Sequence, residues 1–120
     1  MKLFLILTLF TITGCLYKST EHEYTMKNSV KILWFDNAPK YTYSAKIVVK
    51  GKMDCSDTIS VITRKDGEKD YNIFGSSIEL KSNSIKETVF NGDWYGGNFG
   101  VAFENGTCTE NLKIKVVYYR

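Results

Sequence analysis

The chain is poor in the residue types on which most enzyme sites depend. Its 120 residues include one histidine, His22, one proline, Pro39, and three cysteines. A Ser-His-Asp or Cys-His triad needs a histidine held by a folded scaffold, and His22 lies in a polar segment before the first predicted strand. The GxSxG, HExxH, P-loop and GxGxxG motifs are also missing. We therefore expect no catalytic residues, no cofactor and no metal site.

Charge of one sign is not concentrated anywhere along the chain. Lysine and arginine number 16 against 13 acidic residues, which gives a formal net charge of +3. The lysines are spread over the predicted strands, whereas a nucleic-acid site needs a basic patch or stripe. We expect no nucleic-acid partner. With 43% hydrophobic and 24% charged residues, the composition is typical of a globular chain, and the length allows one domain.

No apolar run is long enough to cross a membrane as a helix. The longest, residues 3–12 (LFLILTLFTI), has ten residues, whereas a transmembrane helix needs about 20. It follows Lys2 and has the length of a signal-peptide apolar region. The next residues, Ile12-Thr13-Gly14-Cys15, resemble the lipobox of bacterial lipoproteins, which is an aliphatic residue, two small residues and a cysteine.

The resemblance to bacterial lipoproteins implies a lipid anchor at Cys15. Cleavage is expected after Gly14, so that residues 1–14 are the signal peptide and acylated Cys15 binds a lipid bilayer of the cell envelope. Leu16 stands where an aspartate would retain the protein in the inner membrane of enteric bacteria, which favours the outer membrane. We interpret residues 15–28 as the lipidated N-terminus and a flexible tether with an average reach of about 20 Å.

Cys55 and Cys108 remain after Cys15, and an even number in an exported protein predicts a disulfide. Each precedes a predicted strand and lies beside turn-forming residues, so we expect the bridge near one end of the domain. The alternative is a redox or metal-binding pair. That alternative has no CxxC motif and no histidine nearby.

From residue 29 to residue 120 the apolar residues follow the period of two that is typical of strands. No segment sustains a helical apolar pattern. The spacing of turns, about eight to twelve residues, predicts a small antiparallel β-sandwich, immunoglobulin-like, with seven or eight strands. A small closed β-barrel is the alternative. The predicted strands cover residues 30–35, 45–50, 58–62, 71–74, 78–80, 85–90, 99–103 and 112–119.

One loop has the composition of a recognition surface. Residues 91–100 (NGDWYGGNFG) place two large aromatic residues among glycines, and Trp and Tyr are favoured where proteins bind partners. The candidate binding residues are Asp93, Trp94, Tyr95 and Asn98. In the alternative interpretation Trp94 plugs one end of the sandwich. Trp34 and Phe35 lie in a predicted strand, and we expect both in the core.

These features favour a non-enzymatic binding or accessory module on the cell envelope, with a protein or a glycan as partner. The alternatives are a structural or protective envelope lipoprotein and an inhibitor of a secreted enzyme. An enzyme that uses carboxylates alone is a third class. Its candidates would be Asp54 and Asp57, or the acidic residues of the turn around Gly67.

We predict that the variant Cys15→Ala accumulates as uncleaved precursor and is not labelled by a fatty-acid probe, because the thiol that carries the lipid is gone. Metabolic labelling followed by intact mass spectrometry measures both effects. Labelling equal to that of the unaltered protein would contradict the anchor.

Overall fold

The computed structural model describes residues 19–36, 38–39, 41–65, 67–94 and 98–120. These residues form nine strands: β1 (Ser19–Thr25), β2 (Ile32–Phe35), β3 (Ser44–Met53), β4 (Asp57–Arg64), β5 (Asn72–Ile73), β6 (Ile78–Leu80), β7 (Asn83–Asp93), β8 (Asn98–Phe103) and β9 (Leu112–Tyr119). Among these residues, no helix has the length and apolar character to cross a bilayer.

Every strand predicted between residues 29 and 120 is present, so the period-two pattern identified β2 to β9. Two strands extend beyond the predicted turns. β3 continues through Gly51 to Met53, and β7 continues through Gly92 to Asp93. Gly51 is kept in the ladder at a φ of 140° and lies against the backbone of Asn111 and Leu112, an approach that only a residue without a side chain allows.

The ninth strand, β1, lies in the segment that the sequence analysis assigned to a flexible tether. It pairs antiparallel with β9 over its whole length, from Ser19 opposite Tyr119 to Thr25 opposite Lys113. The tether interpretation is therefore wrong for residues 19–25, which belong to the folded domain. Residues 15–18 lie outside the described residues.

Two antiparallel sheets form the predicted β-sandwich. Sheet A has the order β1-β9-β3-β7, and sheet B has the order β2-β8-β4-β5, with β6 also paired to β4. Every connection except those from β4 through β5 to β6 passes from one sheet to the other. This is the strand order of a double-sheet jelly roll. The order differs from that of an immunoglobulin domain, because β1 and β2 lie in different sheets. No ladder among the described residues closes the sheets into a barrel.

The core lies between the sheets and is built by the inward half of each alternating strand. In β3 and β9 every second residue is buried, and β4 and β8 present a second apolar layer. The fully buried large side chains include Ile47, Ile59, Phe99, Phe103, Leu112, Ile114 and Tyr118. Because each strand of a sandwich buries one face, this layer fixes the register of both sheets.

A disulfide joins Cys55 to Cys108 at one end of the sandwich, with 5.7 Å between the Cα atoms. Cys55 lies in the connection from β3 to β4 and Cys108 in the connection from β8 to β9. Both connections pass between the sheets, so the bridge ties two crossovers together. The predicted disulfide and its place at one end are confirmed.

Hydrogen bonds reinforce the same end, which we call the disulfide end. The buried carboxylate of Asp57 accepts the backbone N–H groups of Thr58, Asn105 and Gly106 at 2.8 to 3.0 Å. The buried Thr109 hydroxyl accepts the N–H of Val30 at 2.7 Å. A buried carboxylate is tolerated because its oxygens are satisfied. Asp57 therefore has a structural role in this turn.

We predict that replacing both cysteines, Cys55→Ala with Cys108→Ala, lowers the free energy of unfolding by about 2–4 kcal/mol. The bridge spans a sequence separation of 53 residues, so its loss frees a long loop in the unfolded chain. Urea denaturation of the variant and of the oxidised parent measures the difference. Equal midpoints and slopes would contradict a stabilising bridge.

Candidate functional site

Trp94, the centre of the predicted binding loop, is part of the core. Its side chain is only 6% exposed. The indole stacks on Phe99 with 3.6 Å between ring centroids and meets the edge of Tyr118 at 5.5 Å. The backbone N–H of Trp94 donates to the backbone carbonyl of Tyr43 at 2.9 Å. Trp94 thus plugs the end of the sandwich opposite the disulfide, and its interpretation as a contact residue is wrong.

Asp93 and Asn98, two other candidate residues of the predicted loop, lie at the ends of strands. Asp93 is exposed as the last residue of β7, and Asn98 is half-buried as the first residue of β8, opposite Arg64. Tyr95 lies outside the described residues. Of the candidate binding residues, the structure thus places Trp94 in the core and Asp93 and Asn98 at strand ends.

Tyr118 closes this end of the core beside Trp94. It is fully buried, and among the described residues its hydroxyl oxygen has no hydrogen-bond partner. Burial raises the pKa of the phenol well above its usual value of 10.0, and the nearby Tyr24 and Asp36 add to the effect. The inward His22 of β1 meets the ring edge-on, with centroids 5.9 Å apart. The phenol stays neutral and serves packing.

An aromatic surface lies on the outer face of sheet B, and not in the loop of residues 91–100 where the sequence predicted one. Phe35 is in the core as predicted, but Trp34 is only half-buried and points away from the core. Neighbouring strand residues face opposite sides of a sheet, so one of the two had to point outward. Trp34 lies opposite Gly100 of β8, where a methyl group would overlap the Leu33 carbonyl oxygen and crowd the indole.

Arg64 and Tyr71 contact Trp34, and Ile62 and Ile73 lie beyond Gly100 in the same row across sheet B. We call these five residues the Trp34 patch. The Arg64 guanidinium lies 4.1 Å from the centroid of the indole, and Tyr71 meets the indole edge-on at 6.1 Å. Ile62 is fully buried yet lies outside the core cluster, because its neighbours on the outer face of sheet B cover it. Stacking on an aromatic ring holds a guanidinium in place with its N–H groups at the edge.

A shallow groove of about 330 Å³ runs along the same face from the patch towards the disulfide end. Its floor is formed by outward residues of β4 and β8, and the chain around β5 and β6 forms one wall. Ser60 and Ser77 share a hydrogen bond of 2.6 Å across it. Lys31 and Glu104 lie at the far end. The groove thus combines hydroxyls, one charge of each sign and the exposed side of Tyr71.

The groove offers hydroxyls, the Lys31 amine, the Glu104 carboxylate and the Tyr71 ring. In the described part of the chain, no three His, Cys, Asp or Glu side chains lie close enough together to hold a metal ion. The groove is near the lower end of the range for small-molecule sites, roughly 300–1,000 Å³. It suits a small polar ligand with an apolar face.

We predict that Trp94→Ala lowers the free energy of unfolding by about 3–5 kcal/mol, because it leaves a cavity between the sheets. Tyr41→Ala is the matched control. Tyr41 is 89% exposed, so its loss should change stability by less than about 0.5 kcal/mol. Urea denaturation measures both. Equal losses would contradict the core position of Trp94.

Comparison with known proteins adds no assignment for this face. The chain matches no protein family, no curated protein and no solved structure. Jelly-roll sandwiches host many unrelated functions, so the fold alone does not select one. A functional assignment therefore has to come from the chemistry of the groove and the Trp34 patch.

Proposed function

We propose that this protein is a lipid-anchored lipoprotein of the cell envelope that acts as a non-enzymatic binding module. Its contact surface is the outer face of sheet B, and its partner is a glycan. The observation that carries the proposal is the hydroxyl-lined groove beside the Trp34 patch. The lipid at Cys15 keeps this face close to a membrane, with the outer membrane favoured by Leu16.

Two features of the chain support the anchor. The apolar run and the residues Ile12-Thr13-Gly14-Cys15 have the order of a lipoprotein signal. The Cys55–Cys108 disulfide supports maturation outside the reducing cytosol, where disulfides persist. With acyl chains on Cys15, each buried methylene adds about 0.8 kcal/mol, so two or three chains hold a small domain on the membrane.

The chemistry of the groove favours a sugar. A sugar ring has hydroxyls around its edge and C–H groups on its faces. Ser60 and Ser77 supply hydroxyl donors and acceptors, and the exposed 41% of Tyr71 supplies an aromatic surface. Arg64 makes no ion pair with any described residue, so its N–H groups are available to a ligand at the patch.

A partner protein that adds a β-strand fits this face less well. Such a partner pairs its backbone with the free N–H and C=O groups of a sheet edge. The groove lies on the face of sheet B, where the backbone groups of β4 are already paired with β8 on one side and β5 and β6 on the other. Recognition here depends on side chains, as it does for a glycan.

Retention of the lipidated protein on immobilised glycans tests the proposal. The probes are lipopolysaccharide and peptidoglycan glycan strands purified from the native host. We expect Tyr71→Ala and Ser77→Ala each to weaken retention on the bound glycan by about tenfold, the equivalent of one lost ring contact or hydrogen bond of about 1.4 kcal/mol.

Thr88→Ala is the matched control, because Thr88 is an exposed strand residue on sheet A, and it should bind as the parent does. Tyr71→Phe separates the ring from its hydroxyl and should keep most of the binding. Retention on neither glycan, or retention unaffected by Tyr71→Ala and Ser77→Ala, would overturn the glycan assignment.

A further inference from the structure

The chain between the proposed anchor and the first strand is short. Three residues separate Cys15 from Ser19, where β1 begins. Four fully extended backbone steps span at most about 14 Å. If the acylated Cys15 sits at the bilayer surface, the start of β1 is held beside that surface. This distance is shorter than the reach of about 20 Å expected of a flexible segment over residues 15–28.

The loop between β2 and β3 lies at the same end as Ser19. In sheet A, Ser19 is opposite Tyr119, and Tyr119 is opposite Ser44 on its other side. Two strand spacings make the distance from Ser19 to Ser44 about 10 Å. Tyr43 precedes Ser44 and donates its N–H to the Tyr119 carbonyl at 3.0 Å. This loop therefore faces whatever surface holds Cys15.

Two tyrosines project from that loop into solvent. Tyr41 is 89% exposed and Tyr43 is 57% exposed. Tyr41 has a φ of 65°, in the left-handed region that costs a residue with a side chain roughly 1–2 kcal/mol. The Thr42 hydroxyl donates to the Pro39 carbonyl at 2.7 Å and closes the turn. The chain thus accepts backbone strain in a turn that exposes a large aromatic side chain.

We propose that this end of the sandwich rests on the lipid headgroups of the anchoring membrane, with Tyr41 and Tyr43 at the membrane–water interface. The inference rests on the lipid anchor at Cys15 proposed above. Tyrosine suits this position because its ring is apolar and its hydroxyl is polar, and it is enriched at both interfaces of membrane proteins. The groove on sheet B and the disulfide end then remain in the aqueous space.

The basic outer face of sheet A is the other surface that a membrane could attract, but it is partly neutralised beside β1. Glu23 lies 3.9 Å from Lys50 and 4.0 Å from Lys113, and Glu21 lies 3.5 Å from Lys115. These carboxylates stand on the strand nearest the anchor. They lower the local positive charge that would draw this face onto anionic lipids.

Iodination of tyrosines by lactoperoxidase tests the contact, because the reagent acts from water. The full lipidated protein is reconstituted into vesicles of phosphatidylethanolamine and phosphatidylglycerol, and peptide mass spectrometry follows each tyrosine. Tyr71, 41% exposed on sheet B, is the internal reference. We expect Tyr41 and Tyr43 to react at least about threefold more slowly than Tyr71 because the headgroups cover them. Their exposed fractions alone predict the opposite order.

A variant with about ten Gly/Ser residues inserted between residues 16 and 19 is the matched control, since a longer flexible linker releases the domain from the surface. Its Tyr41 should react faster than Tyr71. In the parent, Tyr41 reacting as fast as Tyr71 or faster overturns the contact, as does protection that survives the insertion. The intact mass separates the two proposals: a Cys15 without acyl chains overturns the anchor, whereas an acylated Cys15 with reactive Tyr41 overturns only the contact.

Discussion

The pairing of β1 with β9 is the constraint on which the arrangement of the whole molecule depends. It adds the fourth strand to sheet A and places Tyr24 against Phe35 at 5.4 Å. It also makes residues 19–25 part of the folded domain. With the proposed anchor, the lipid on Cys15 would be joined to a strand by a short segment, and the fold would set the direction in which the groove faces.

The two ends of the sandwich differ in construction. At the disulfide end, a covalent bridge and the hydrogen bonds of Asp57 fix the crossovers. At the opposite end, apolar packing stabilises the fold, because Trp94 fills the space between the sheets. Exposed tyrosines are found at the packed end, close to the first strand. This division agrees with the two proposals, in which the tyrosine-bearing end contacts lipid and the outer face of sheet B binds a ligand.

The sequence predicted the parts of the fold that depend on local pattern. Alternating residues such as Ile47, Val49 and Ile114 revealed their strands, because burial of one face requires a period of two. The cysteine count revealed the disulfide. The strand order was not predictable from pattern, since the pairing of β1 with β9 joins distant segments. β1 itself was missed because its inward residues, Thr20, His22 and Tyr24, are not strongly apolar. Their alternation with Glu21 and Glu23 was the available signal.

The candidate site was predicted only as a chemical type. An aromatic surface was expected, but composition could not say which tryptophan was exposed: the glycine-rich surroundings of Trp94 resembled a loop, and the apolar surroundings of Trp34 resembled a core.

Amide hydrogen exchange over residues 19–25 in the mature protein tests the pairing of β1 with β9 most directly. The account predicts exchange at least about tenfold slower than in an unstructured chain. Exchange at the unstructured rate would contradict it and restore the flexible tether.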